Sequence, residues 1–70
     1  MNVEQIEDMF GEPLDALQGR KVSVEAGNTF YTTELVGFTF DTRLQLSACV
    51  RDSADTWHLL QVHPSKIKLV

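Results

Sequence analysis

Two histidines, one cysteine and ten acidic residues are the groups of this chain whose chemistry could reach beyond packing. His58 and His63 stand five positions apart in a stretch of strand character, and an odd offset along a strand sends two side chains to opposite faces. They are therefore not expected to ligate one metal ion together. Cys49 is the only cysteine, which leaves no intrachain disulfide and no cysteine-built zinc site. In an alternating stretch it reads as a small apolar residue. No Ser-His-acid or Cys-His grouping, phosphate loop or paired carboxylate with a plausible cleft stands out. The expectation is a protein without catalysis, metal or cofactor.

Binding is the better-supplied alternative. Arg43 follows Asp41-Thr42 at an expected turn, and its guanidinium can donate to a phosphate or stack on a base. His63 and Lys66 flank a second turn at Pro64-Ser65. The net charge of -4 opposes anionic ligands, because phosphate binding depends on Lys and Arg displacing counterions. That charge is unevenly spread. Glu4, Glu7, Asp8, Glu12 and Asp15 occupy the first 15 residues, which contain no base. Residues 16–70 carry the other five acids and all six bases, six minus five giving +1. An acidic N-terminal element on a nearly neutral body follows. Phe30, Tyr31, Phe38 and Phe40 have the chemistry of a base-stacking platform. Their place within one strand favours core filling or subunit contact instead. No apolar run approaches the roughly 20 residues that span a bilayer, and no charged-then-apolar leader opens the chain. A soluble, cytoplasmic protein with no membrane partner is expected.

The elements that must hold these groups can be read from periodicity. Asn2 and Gln5 have the spacing of a reciprocal helix cap, and Val3, Ile6, Met9 and Phe10 recur at helical intervals, so residues 2–10 are expected to form a helix. Gly11 suits the left-handed position behind it, and Pro13 opens a second turn carrying Leu14 and Leu17. From Arg20 the period becomes two, with Val22, Val24 and Ala26 on one face. Gly27-Asn28 makes a hairpin turn into a strand from Phe30 to Phe40, in which Gly37 permits close approach of a neighbour. Leu44, Leu46, Ala48 and Val50 alternate along a third strand, residues 56–62 form a fourth, and 66–70 a fifth.

The order of Leu17-Gln18-Gly19, Val22-Ser23-Val24, residues 31–38 and Leu44-Gln45-Leu46 resembles the first signature of the Sm and Sm-like family. Val62-His63-Pro64-Ser65-Lys66-Ile67 is similar to its second. The resemblance implies one Sm-like domain, helical over about 2–17, then a strongly bent, five-stranded SH3-like barrel over about 20–70. It also implies a homo-oligomeric ring that binds single-stranded RNA without catalysis. In that family the loop between the second and third strands supplies an Asp, a stacking residue and an Asn. Carried over without a gap, these positions hold Thr39, Thr42 and Arg43; a shifted alignment puts Asp41, Leu44 and Gln45 there, and the ungapped version is preferred. His63 and Pro64 replace the Arg-Gly of the second signature, and Lys66 can restore a charge. Family rings pair the fourth strand of one subunit with the fifth of the next, which makes Trp57, Leu59, Ile67 and Leu69 the expected interface. A chain of 70 residues buries only about 60% of its unfolded surface as a monomer and gains from such contacts. The altered RNA positions and the acidic bias leave a second expectation open: a ring that has lost RNA binding and serves as a structural or protein-interaction assembly.

Overall fold

The computed structural model describes every residue except Thr56. Helix α1 spans Val3–Phe10 and begins with the expected reciprocal cap. The Asn2 side chain accepts the Gln5 backbone N–H at 2.8 Å, and the Gln5 side chain accepts that of Asn2 at 2.9 Å. Gly11, at φ 72°, ends the helix by donating to the Glu7 carbonyl. A short helix α2, Leu14–Leu17, follows Pro13. Helix packing here is driven by single apolar anchors: Ile6 from α1 and Leu17 from α2 are both fully buried.

Five antiparallel strands follow: β1 (Lys21–Ala26), β2 (Thr29–Phe40), β3 (Leu46–Arg51), β4 (Leu59–Val62) and β5 (Ile67–Leu69). Their lateral order is β4-β3-β2-β1-β5. The long β2 serves both halves of the sheet. Its first part pairs with β1, from Thr29 opposite Ala26 to Glu34 opposite Lys21. Its second part pairs with β3, from Leu35 opposite Val50 to Phe40 opposite Leu46. The handover coincides with a register shift between Leu35 and Gly37, which bends the strand. A side chain at Gly37 would put its Cβ 3.3 Å from the Gln18 amide nitrogen, so the glycine expected to allow close approach does so against the chain leaving α2.

Period two survives wherever one sheet face meets the helices. Val22 and Val24 of β1, Leu35 of β2, Leu46, Ala48 and Val50 of β3 and Ile67 of β5 join Ile6 and Leu17 in one core. Tyr31, Phe38, Val62 and Leu69 pack on its margin.

Five expectations need correction. The sheet is not closed into a barrel: β4 and β5 are its two edges, at opposite ends of the strand order. The third strand begins at Leu46, because Leu44 adopts φ 61° and stands exposed in the preceding turn. The fourth begins at Leu59; Trp57 lies in the turn before it, and Thr56, its expected start, lies outside the described residues. The aromatic cluster of β2 divides, with Tyr31 and Phe38 against the core and Phe30 and Phe40 exposed, so core filling accounts for half of it. Ala26, expected on the buried face, is also exposed at the end of β1. Among the described residues no helix is long and apolar enough to cross a membrane.

Candidate functional site

The turn between β2 and β3 is organised by Asp41. Its Oδ1 accepts the backbone N–H of Arg43 at 2.8 Å and of Gln45 at 3.0 Å. The Leu44 N–H donates to the Asp41 carbonyl at 3.1 Å, and the Asp41 N–H donates to the Gln45 carbonyl at 2.8 Å. A tight turn followed by one left-handed residue is a common hairpin connection, and glycine is its usual occupant there; this chain has Leu44. The hydrogen bonds from Gln45, first, and Arg43 hold the Asp41 carboxyl below the usual carboxylate range. Asp41 is thus committed to shaping the turn, while Thr42 and Arg43 are exposed at its tip. Thr39 stays within β2, opposite Ser47.

The second candidate segment follows β4. His63 caps a single 3-10 turn over Pro64–Lys66: its Nδ1 accepts the Ser65 backbone N–H at 3.1 Å and lies 2.7 Å from the Ser65 hydroxyl. Pro64 is buried, which fixes this turn against the sheet. The Lys66 ammonium is 4.0 Å from a Glu25 carboxylate oxygen, a surface pairing of little energetic weight.

Strand register brings the β2–β3 turn and His63 to one end of the β3–β4 pair. Leu46 opens β3 directly after the first turn, and Val62, opposite Ala48, closes β4 directly before His63. Arg43 and His63 therefore share that end, whereas Lys66 precedes Ile67, which pairs with Val24, and lies beside Glu25 toward the β1–β2 hairpin; among the described residues no hydrogen bond or ion pair joins Arg43 to His63 or Lys66. Met1 meets the same place: its carbonyl accepts the Leu46 N–H at 2.9 Å and its ammonium donates to the Gln45 side chain at 2.7 Å. Nothing in the spacing of the sequence pointed to that contact.

No protein-family model matches this chain, and no curated protein or solved structure matches it.

Among the described residues no group of three His, Cys, Asp or Glu side chains could hold a metal. His58 lies 3.5 Å from Asp55 within the turn before β4, and Cys49 is half-buried in β3, where desolvation pushes its thiol pKa up. Neither forms part of a larger constellation.

The sheet edges are the other candidate surface. Leu59 and Leu60 of β4 are 48% and 38% exposed, and Trp57 just before them is 90% exposed. At the opposite edge, Met9 and Phe10 of α1 and Ile67 and Leu69 of β5 line an open groove of about 320 Å³. Of the four expected interface residues, Trp57 and Leu59 are open to a partner, Leu69 is half-buried and Ile67 belongs to the core. Ile67 can join an interface only through its backbone.

Proposed function

We propose that this chain is a divergent Sm-like protein whose copies assemble head to tail, β4 of one alongside β5 of the next, into a ring that acts as a structural or protein-interaction assembly. One observation carries the reading: the sheet ends in two unlike open edges, one of them bearing exposed Leu59 and Leu60. An open edge presents unpaired N–H and C=O groups, and an apolar one is a ready template for another strand. Two different edges meeting head to tail generate a ring when the rotation closes. The bend at Leu35/Gly37 and the order β4-β3-β2-β1-β5 suit the SH3-like arrangement that the resemblance implies.

A second reading, binding of single-stranded RNA, is favoured by the placement of Arg43 and His63 at one end of the β3–β4 pair. Ring closure would repeat that set around the centre, so a weak contact is multiplied by subunit number. The net charge of -4 and the Glu25 carboxylate beside Lys66 weigh against it.

The double variant Leu59→Lys/Leu60→Lys tests assembly, since both side chains are exposed and charge on an edge blocks strand pairing. It should keep the parent circular-dichroism spectrum and sediment as a monomer. An unchanged assembly in this variant would remove β4 from the interface. Anisotropy titrations with uridine-rich and adenine-rich oligonucleotides at two salt concentrations test the second reading. Tight binding that weakens with salt supports it, and no binding at low salt ends it.

A further inference from the structure

The two edges of the sheet are complementary in their side chains as well as in their open backbones. In β4, Leu60 stands opposite Val50 and Val62 opposite Ala48, so both point to the core face of the sheet. Leu59 and Gln61, opposite Arg51 and Cys49, point to the other face. Val62 packs on the core, but Leu60 is left 38% exposed at the edge. At the opposite edge, Ile67 and Leu69 of β5 stand opposite Val24 and Val22 and so share the core face. The end of α1 comes beside them and leaves the groove lined by Met9 and Phe10, with Ser65 and Lys68 completing the lining. Met9 is 43% exposed there. One edge thus carries an uncovered apolar side chain, and the other an apolar recess, on the same face of the sheet.

We propose that the groove between α1 and β5 is the seat of Leu60 from a second copy of this chain. This rests on the head-to-tail assembly proposed above and adds α1 to its interface. When a strand extends a sheet, directly opposed residues point to the same face. Laid along the free edge of β5, β4 of a second copy brings its core-face Leu60 alongside Ile67 and Leu69, against Met9 and Phe10, and sends Leu59 to the face that bears Lys68. The occupant is selected by two requirements together: a free strand edge, and an uncovered apolar side chain on the core face of that strand. In this chain β4 meets both, and its four residues match the three of β5. A docked helix or a small apolar ligand would fill the recess and leave the β5 backbone unpaired. Met9 suits the role, since an unbranched thioether adapts to the side chain placed against it.

The test is methyl NMR on an assembly mixed from isotope-labelled and unlabelled copies, run beside light scattering, so that the mass reports assembly and the contacts between copies report the seat. Isotope-filtered spectra should show contacts from the Leu60 methyls to Met9 and Phe10 of a neighbouring copy, and none from the Leu59 methyls. Met9→Lys changes an exposed residue outside the buried core. It should keep the parent circular-dichroism spectrum and raise the concentration at which the assembly dissociates by roughly tenfold or more. A monomeric parent would overturn the assembly and this inference with it. An assembled parent in which Leu59 replaces Leu60 against Met9, or in which neither reaches it, would overturn the seat alone. So would a Met9→Lys assembly that dissociates as the parent does.

Discussion

The Asp41 carboxylate accepts the backbone N–H of Arg43 at 2.8 Å, so the acid of this turn fixes the backbone of the residue that carries its cation. The same oxygen accepts from Gln45, and these bonds depress the Asp41 pKa. A carboxyl whose folded pKa is lowered stabilises the fold above its unfolded pKa and loses that contribution as pH falls through the folded value. Acidification below the usual carboxylate range should therefore speed amide exchange at Arg43 and Gln45, after correction for intrinsic rates. Asp41→Ala should show fast exchange already near neutral pH and no such transition. A transition preserved in Asp41→Ala would assign it to another group.

Among the described residues Leu44 is the one non-glycine residue at positive φ, and its side chain is 78% exposed. Left-handed backbone costs an ordinary residue about 1–2 kcal/mol, whereas Asn tolerates it. Leu44→Asn should stabilise the protein by about 1 kcal/mol in urea denaturation. Destabilisation would mean that the exposed leucine makes a contact that the isolated chain does not reveal.

The RNA reading makes Arg43 the leading contact, with Lys66 and His63 secondary. Arg43→Ala should then weaken oligonucleotide binding by more than the roughly tenfold that one charged hydrogen bond of about 1.5 kcal/mol supplies, because a ring repeats it. Parent-like affinity in this variant would move any RNA surface away from the turn.

The cap of α1 makes a direct stability prediction. Asn2→Ala removes the acceptor for the Gln5 N–H and should cost about 1 kcal/mol, while Asn2→Asp should cost little. Equal losses in the two variants would show that the carboxamide has a role other than capping.

The parts of the fold legible in the sequence are those set by local chemistry. The Asn2/Gln5 cap, Gly11 behind α1, the period-two burial of Val22 and Val24, and that of Leu46, Ala48 and Val50 each follow from residue type and spacing. Leu44 misled for a physical reason. It keeps the apolar alternation of β3, yet the hydrogen bonds of Asp41 demand a left-handed residue at that point, and the turn prevailed over the pattern. Phe40 carries the alternating character of β2, but the helices end short of covering it, and no local signal reports where a distant element stops.

The candidate site was legible in its residues and not in its roles. Arg43 and His63 stand at one end of the β3–β4 pair, through the Ala48–Val62 register, whereas Lys66 lies beside Glu25 of β1. That Asp41 and His63 are occupied in holding their own turns depends on side-chain geometry that spacing does not encode. Tethering of Leu46 to Met1 is likewise a contact between distant positions.

Assembly through the two sheet edges is the central claim, and the mass of the parent protein in solution tests it most directly. Light scattering at micromolar concentration should give one discrete multiple of 7.9 kDa, well above a dimer. A mass of 7.9 kDa under those conditions, unchanged on concentration, would contradict the ring.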